Sequence, residues 1–206
     1  WWKKRFIKNN ITASLVVSPN PLDDQLLDVI EQTKNRIGKY QKKNKIVNIL
    51  SMSRLEPGKG FEAVIQSLKL LPENYHLQIA GTGSIELQLK SQVQLLKLND
   101  RVTFLGWLNY ESKMTAIQNS DVFCLPSSFD SFGMVYLEAL SANIPVVGLN
   151  KQATPDIVPE QFGVLCDTLT PEELSHAIES ALTLDCSEAH TYLLKKYHPI
   201  GVTKQK

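Results

Sequence analysis

Apolar and polar residues alternate along this chain at two different periods, and the pattern is regular from residue 46 onwards. Short apolar runs rich in Val, Ile and Leu are typical of strands that are buried on both faces of a sheet. Between them lie longer stretches with apolar residues at helical spacing. The pattern predicts strands at 46–52, 75–80, 102–105, 122–125, 145–149 and 162–166. It predicts helices at 60–71, 84–98, 110–118, 131–142 and 171–184, with weaker helical segments at 155–158 and 189–197.

This alternation of strands with helices predicts an α/β fold. Two parallel neighbouring strands need a crossover connection, and helices of this length provide it. Helical crossovers cover both faces of the sheet, which agrees with the continuous apolar character of the strands. We therefore expect a Rossmann-like parallel sheet of about six strands with helices on both faces.

The start of the chain does not follow this pattern. A basic segment with two Trp residues leads into an apolar run at 11–17, which predicts a strand, and a helix is predicted at 23–39. The cationic run 39–45 is interpreted as a solvated linker. The basic aromatic start indicates either a membrane-facing surface or an interface that a neighbouring domain would cover. We assign residues 1–45 to a crossover segment and linker, and residues 46–206 to the sheet domain with its C-terminal tail.

Composition narrows the functions that this domain can have. Hydrophobic residues make up 43% of the 206 residues, but no apolar run approaches the roughly 18 residues of a membrane span. The net charge of +1 gives no support for nucleic acid as a partner. The four histidines show no spacing typical of a metal site. The three cysteines lie far apart, and we expect them to be buried reduced thiols in a cytoplasmic protein.

The stretch from residue 121 to residue 150 carries the first candidate site. It predicts a strand, a polar turn, a helix and a second strand. Such a unit puts the first turn of a helix at the carboxyl edge of a parallel sheet. Free backbone N–H groups and the positive end of the helix dipole then favour an anion such as phosphate. Gly133 in this turn would let a ligand approach the backbone closely.

Two carboxylates, Asp130 and Glu138, frame the predicted helix at a D-x7-E spacing. Ser131 and Glu138 are seven residues apart, which predicts that they share one face of the helix. Glu138 lies between Leu137 and Ala139 in a helix that should be mostly buried, so its carboxylate needs partners. Ligand hydroxyls would provide them. The alternative interpretation is an N-cap Asp with a solvated Glu.

Two loops that follow earlier strands carry further candidates. Arg54 and Lys59 lie in a Pro-Gly loop between a predicted strand and a helix, and two cations at this edge suit a diphosphate. The alternative is a surface loop with solvated charges. Gly81 and Gly83 follow the next strand, but as a dinucleotide fingerprint their motif is incomplete, because Glu86 occupies the position of the third Gly.

Residues 130–146, which read DSFGMVYLEALSANIPV, resemble the signature of a known family. It is the E-x7-E motif of family 4 (group 1) retaining glycosyltransferases, which have the GT-B fold. Two positions depart from that motif. Asp130 replaces the usual first Glu and shortens the reach by one methylene. Asn143 replaces a Gly, and we expect it to adopt a left-handed conformation at the helix end, where Asn is the next best residue.

The resemblance extends to the other loops. Arg54 and Lys59 match the family's R-L-x4-K-G loop, and Gly81 and Gly83 match its I-A-G-x-G turn. In total the likeness covers the chain from about residue 46 to residue 182.

Residues 101–108, RVTFLGWL, match the family's R-V-x-F-x-G segment, after which the main chain usually holds the nucleotide base. By this resemblance Trp107 and Leu108 would lie near the base, and Lys113 would reach the pocket. The alternative for Trp107 is a core or interface aromatic. Residues 153–158, ATPDIV, match the family's P-E-I/V-V turn with Asp in place of Glu.

The resemblance implies transfer of a hexose-type sugar from a UDP- or GDP-sugar, with retained anomeric configuration, to a glycan or lipid-linked saccharide. Neither a metal nor another cofactor is implied. Arg54 and Lys59 would stabilise charge on the leaving diphosphate, Asp130 would hold sugar hydroxyls, and Glu138 would hold the ribose. The backbone near the start of the helix would complete the nucleotide-sugar site through Ser131, Phe132 and Gly133.

Enzymes of this fold have two Rossmann-like domains, and the chain has room for only the second, which binds the donor. We therefore expect the C-terminal half of a larger cytoplasmic enzyme, whose N-terminal domain would be its partner. Peripheral contact at the inner face of the membrane is a further expectation. Alone, this half should bind nucleotide weakly and transfer nothing.

Three other interpretations remain open. The first is a non-catalytic or degenerate nucleotide-sugar-binding module, since Asp130 departs from the motif. The second is a related GT-B enzyme such as an epimerase or a phosphorylase, although no motif for a pyridoxal-phosphate lysine is present. The third is a dinucleotide-dependent oxidoreductase, which the incomplete glycine fingerprint argues against.

Overall fold

The computed structural model describes residues 24–33, 46–129 and 133–197. These residues form one parallel sheet of six strands in the order β3-β2-β1-β4-β5-β6. The strands are β1 Val47–Met52, β2 Tyr75–Ala80, β3 Val102–Gly106, β4 Val122–Leu125, β5 Val146–Leu149 and β6 Gly163–Cys166. The predicted α/β fold with about six parallel strands is confirmed.

Helices connect the strands and cover both faces of the sheet. They are α1 Asp24–Thr33, α2 Phe61–Ser67, α3 Glu86–Leu95, α4 Tyr110–Asn119, α5 Met134–Ser141, α6 Thr154–Ile157, α7 Pro171–Ala181 and α8 Ala189–Tyr197. They fall into two groups by contact. Helix α2 touches α3 and α7, whereas α5 touches α1, α4 and α8. The two groups lie on opposite faces, as expected for a sheet of this type.

The strand order reverses between β1 and β4. These two strands are direct neighbours, with Ile49 opposite Val122 and Leu50 opposite Phe123. The chain leaves β1 into α2 on one face and leaves β4 into α5 on the other. A crevice opens at such a point in doubly wound sheets, and ligands usually bind there.

Burial follows the position of each strand in the sheet. All four residues of β4 and all four of β5 are buried, because helices cover these central strands on both sides. The edge strand β3 is more open and buries only Val102 fully. The strands that are covered on both faces are therefore buried along their whole length, whereas the edge strand β3 is only partly buried.

Asn143 confirms the expectation for the end of α5. Its φ of 58° lies in the left-handed region, where a short polar side chain is tolerated better than most. The side chain also reaches helix α8, since Asn143 Oδ1 lies 3.2 Å from His190 Nδ1. One residue thus ends α5 and ties it to the C-terminal helix.

The helix boundaries differ from the sequence prediction at several ends. Helix α5 begins at Met134, three residues after the predicted start at Ser131. Ser131, which was predicted to share one helical face with Glu138, lies outside the described residues. The expected strand at 11–17 and linker at 39–45 lie outside the described residues.

Helix α1 belongs to the same core as the sheet. Leu26 and Ile30 are each 1% exposed, and α1 packs against α5. Apolar side chains at this spacing form one buried face of a helix. The proposed boundary after residue 45 stays a prediction.

The three cysteines, Cys124, Cys166 and Cys186, are all buried and free, which confirms that part of their predicted state. Burial raises the pKa of the Cys166 and Cys186 thiols to about 12, and that of Cys124 well above its ordinary value.

Within the described ranges, no helix has both the length and the apolar character to cross a membrane.

Candidate functional site

The loop after β1 is bonded to the loop after β2 through the main chain. Leu55 N donates to Thr82 O at 2.9 Å. A Cβ on Gly81 would overlap Ser53 O, and a Cβ on Gly83 would overlap Leu55 O. The two glycines therefore allow the backbones of these loops to come together. Their contact with a ligand stays a prediction.

The carboxylate of Glu56 also joins the loops after β1 and β2. Glu56 accepts hydrogen bonds from Ser84 Oγ at 2.5 Å and from Ser84 N at 3.3 Å. These bonds lower the pKa of Glu56, with a smaller contribution from the charge of Arg54. Arg54 itself is exposed to solvent. Glu56 and Ser84 could not be identified as partners from the sequence, because their contact forms only when β1 and β2 are neighbours.

The loop after β1 also meets the loop after β4, across the point where the strand order reverses. Ser128 donates to Gly58 O from both its N and its Oγ, at 2.9 Å each. Lys59 Nζ donates to Phe129 O at 2.9 Å. A Cβ on Gly60 would lie 2.6 Å from Pro126 O. The predicted diphosphate-binding loop is thus joined to the segment that leads into α5.

Gly133 caps the start of α5 in a left-handed conformation, with a φ of 72°. A Cβ there would lie 2.6 Å from Tyr136 Cδ2. Tyr136 is fully buried, and its hydroxyl donates to Leu125 O at 2.7 Å. Glycine is therefore required by both the backbone and the ring beneath it. The neighbouring site candidates Asp130, Ser131 and Phe132 lie outside the described residues.

Glu138 lies in the second turn of α5 and forms an ion pair with Lys113 of α4. The distance from Lys113 Nζ to Glu138 Oε1 is 2.6 Å, and the two side chains are 23% and 10% exposed. Lys113 Nζ also lies 5.0 Å from the centre of the Tyr110 ring. The alternative interpretation of Glu138 as a solvated surface carboxylate is wrong, because the residue is only 8% exposed.

The loop after β3 presents one large aromatic side chain to solvent. Trp107 is 73% exposed, so its interpretation as a core aromatic is wrong. Leu108 is partly buried and packs against the core. Phe129, in the loop after β4, is also 72% exposed. Both exposed rings follow strands at the carboxyl edge.

The structure brings some of the predicted site residues into contact and leaves others apart. The loop of Arg54 and Lys59 touches the loops of Gly81 and Gly83 and of Phe129, and Lys113 touches Glu138. The ion pair was missed in the sequence because its partners are 25 residues apart on different helices. Among the residues that the structure describes, no cluster of His, Cys, Asp and Glu could hold a metal ion.

Comparison with known proteins identifies the family to which this arrangement belongs. The family described as Glycosyl transferases group 1 matches residues 29–196. An uncharacterized glycosyltransferase of Haemophilus influenzae is 28% identical over 183 residues, which are 86% of this chain and 47% of that protein. The phosphatidylinositol N-acetylglucosaminyltransferase GPI3 subunit of Saccharomyces cerevisiae is 25% identical over 212 residues, covering 97% of this chain and 46% of the subunit.

The fold is similar to that of solved glycosyltransferases. The structure of HepE from Anabaena in complex with UDP and glucose superposes with a TM-score of 0.79 at 22% identity. The match covers 98% of this chain and 59% of HepE. The chain thus spans about half the length of the relatives that it matches.

The family match covers most of the chain, and the six-stranded sheet is the one that glycosyltransferases of the GT-B fold share. The chain belongs to the group 1 glycosyl transferases.

Proposed function

We propose that this chain is the donor-binding domain of a retaining glycosyltransferase. It binds a nucleoside-diphosphate sugar, UDP- or GDP-linked, and presents a hexose-type sugar for transfer to a glycan or a lipid-linked saccharide. The observation that carries the proposal is the junction of two loops where the strand order reverses. There the loop that holds Arg54 and Lys59 meets the segment leading into α5, within a fold that belongs to a sugar-transferring family.

Arg54 and Lys59 would act on the leaving diphosphate. Two cations beside the bond that breaks stabilise the negative charge that develops on the departing nucleotide. Lys59 is partly buried and anchored on Phe129 O, which favours a fixed position for its ammonium group. The backbone N–H groups at the start of α5, next to Gly133, would add partial positive charge on the same side.

The carboxylates would hold the rest of the donor. By the family resemblance Asp130 would bind the hydroxyls of the sugar and Glu138 those of the ribose. Ser131, Phe132, Gly81, Gly83 and Leu108 would line the site for the nucleotide. Positioning and electrostatics would supply the acceleration, with no metal and no further cofactor.

The donor class is supported by a structural neighbour, because HepE was solved in complex with UDP and glucose. The acceptor would be bound by an N-terminal domain of the whole protein, and the chain spans about half the length of the relatives that it matches. We place the enzyme in the cytoplasm, with the basic start of the chain in contact with the inner face of the membrane. The 206-residue chain alone should show no transferase turnover.

Isothermal titration calorimetry tests the proposal directly. The full chain is titrated with UDP, GDP, UDP-glucose and GDP-mannose. We expect one nucleotide series to bind, and Arg54→Ala or Lys59→Ala to weaken that binding about tenfold or more, as for the loss of a charged contact. Lys69→Ala is the matched control, because Lys69 is an exposed cation beyond the other end of α2.

The second candidate, a degenerate module, gives a different result in the same titrations. Since Asp130 departs from the family motif, a site that has lost its function would bind no nucleotide, or would bind one with an affinity that Arg54→Ala leaves unchanged. Either result would replace the proposal by this candidate.

A further inference from the structure

Glu56 lies between Arg54 and Lys59 in the loop after β1 and contacts the main chain of both residues. Its N–H donates to Arg54 O at 2.9 Å, and its carbonyl oxygen accepts from Lys59 N at 3.4 Å. The main chain of Glu56 therefore links the two residues that carry the positive charges proposed to bind the diphosphate. A shift of this one residue would move the points from which both cations extend.

The side chain of Glu56 fixes this link to the loop after β2. Its two carboxylate oxygens accept separate hydrogen bonds, Oε2 from the Ser84 hydroxyl at 2.5 Å and Oε1 from Ser84 N at 3.3 Å. Because these bonds lower the pKa of the carboxyl group below its ordinary value of 4.5, Glu56 is ionised at neutral pH. Hydrogen bonds to an ionised group are roughly twice as strong as neutral ones. The charged form of Glu56 thus makes the stronger tie.

The main chain alone fixes only the residue before Glu56. Leu55 is fully buried, its N–H donates to Thr82 O at 2.9 Å, and its carbonyl oxygen accepts from Ile85 N at 3.1 Å. The loop then turns at Gly58, which has a φ of 83°. The carboxylate of Glu56 carries the attachment one residue further along the chain, towards that turn.

The charge of Glu56 by itself opposes the binding of a diphosphate. Like charges repel, so a carboxylate in this loop reduces the attraction that Arg54 and Lys59 exert on an anion. Any favourable contribution of Glu56 must therefore come from geometry. Two cations that are already held in place lose less conformational freedom when they bind than two mobile ones.

A second carboxylate tie of the same kind lies away from the candidate site. Glu173 accepts hydrogen bonds from Asp167 N, from Thr168 N and from the Thr168 hydroxyl, and its pKa is also lowered by these bonds. It holds the turn between β6 and α7, and two strands separate β6 from β1 in the sheet. The ties of Glu56 and Glu173 are alike in chemistry and differ in the loops that they fix.

We propose that Glu56 is a positioning residue, which through its tie to Ser84 holds Arg54 and Lys59 at the spacing that a diphosphate requires. This inference rests on the proposed donor-binding function. It adds to that function a pair of residues that act without touching the donor. The tie would favour a nucleoside diphosphate over a monophosphate, because only the diphosphate offers a phosphate group to each cation.

The test compares nucleotides that differ only in the number of phosphates. The full chain is titrated with UMP and UDP, and in parallel with GMP and GDP. In the wild type we expect the diphosphate of the base that binds to be tighter than its monophosphate by about tenfold or more, as for an added charged contact. In Ser84→Ala this diphosphate preference should fall by about threefold or more, because the two cations are held less firmly.

Variants of Glu56 separate its position from its charge. Glu56→Ala removes the tie together with a negative charge, and we expect a weaker diphosphate preference although repulsion has been relieved. Glu56→Gln keeps a neutral acceptor for Ser84 and should retain more of the preference than Glu56→Ala. The double variant Glu56→Ala/Ser84→Ala should match Glu56→Ala within about twofold, since both lack the same tie.

Glu173→Ala is the matched control, because it removes the corresponding tie at α7. It should lower the stability of the domain without changing the diphosphate preference. Circular dichroism and thermal melting establish that each variant is folded at the temperature of the titration. If Glu56→Ala does not fold, Ser84→Ala decides, and an unchanged preference there overturns the inference.

The outcomes separate this inference from the function on which it rests. If the wild-type chain binds no nucleotide, the proposed function fails and the inference fails with it. If the diphosphate preference is lost in Arg54→Ala but is unchanged in Ser84→Ala and Glu56→Ala, only the role assigned to Glu56 is wrong. A preference that increases in Glu56→Ala would also overturn that role, because the charge of Glu56 would then outweigh its position.

Discussion

At the scale of single residues, two glycines separate the effect of backbone conformation from that of crowding. Gly60 and Gly106 both have positive φ values, 84° and 67°. A Cβ on Gly60 would lie 2.6 Å from Pro126 O, whereas a Cβ on Gly106 would meet nothing within 4 Å. We predict that Gly106→Ala costs about 1 kcal/mol from left-handed strain alone, and that Gly60→Ala costs about 2–4 kcal/mol because a clash with backbone is added.

Urea unfolding followed by circular dichroism measures both free energies. Gly106→Ala is the internal control, since it carries the same strain without the clash. Equal losses in the two variants would mean that the loops after β1 and β4 separate easily, and that their junction is not a rigid part of the site.

Residue-level features could be predicted from the sequence only where they depend on local backbone. The left-handed conformation of Asn143 was predictable, because a small polar residue at a helix end is one of the few that tolerate it. The pairing of Lys113 with Glu138 was not, since it depends on how α4 and α5 pack against each other. The sequence predicts the enclosure of Glu138 but indicates ligand hydroxyls, and not Lys113, as the partners of its carboxylate.

At the scale of elements, the start of α7 is held by a charged cap. Glu173 accepts hydrogen bonds from Asp167 N at 2.7 Å and Thr168 N at 3.0 Å, and from the Thr168 hydroxyl. The Thr168 hydroxyl, followed by these backbone groups, lowers the pKa of Glu173 below its ordinary value of 4.5. This carboxylate therefore binds the turn between β6 and α7 most strongly when it is ionised.

This cap predicts a pH-dependent stability. Because the folded pKa of Glu173 is depressed, its contribution is complete above about pH 4.5 and is lost as the pH falls through the folded pKa. Glu173→Gln should destabilise the domain at pH 7 by less than about 1 kcal/mol, since solvent screens a carboxylate that is only partly buried. The difference in free energy of unfolding between variant and wild type should shrink below pH 4.5.

Urea unfolding at several pH values between 7 and 3.5 measures that difference. Glu172→Gln is the control, because Glu172 lies in the same first turn of α7 but is exposed. A difference for Glu173→Gln that stays constant down to the acid limit would show that the hydrogen bonds of its cap do not depend on charge.

The elements themselves were predicted well in their centres and poorly at their ends. Strand β2 and helix α8 have the predicted bounds, because turn residues or charges enclose them. Helix α5 begins late, at Met134, since Gly133 adopts a left-handed conformation that apolar periodicity does not reveal. Helix α2 ends early, at Ser67, although the apolar pattern continues to Leu71, because the following residues form a turn. Leu68 and Leu71 are still buried, whereas Leu70 is exposed.

At the scale of the whole molecule, the order of strands explains why the candidate site lies where it does. The alternation of strands and helices predicted a parallel sheet, but it did not give the order in which the strands pair. The reversal between β1 and β4 brings together two loops that are about 70 residues apart in sequence. The resemblance to a family supplied that relation in advance, whereas residue spacing alone could not.

The cysteines test whether this sheet and its helices unfold as one unit. Cys124, Cys166 and Cys186 are 0%, 1% and 6% exposed, and burial raises the pKa of Cys166 and Cys186 to about 12. Reaction with a thiol reagent such as DTNB requires an accessible thiolate. At pH 8 only about one in ten thousand of such thiols is ionised.

We predict that none of the three cysteines reacts in the native protein on the time scale of an exposed cysteine, which the variant Lys69→Cys provides. All three should become reactive together across one urea transition that coincides with loss of helical signal. Reaction of one cysteine at lower urea than the others would instead identify a part of the sheet that opens separately, with β4, β6 and the segment before α8 as the distinguishable parts.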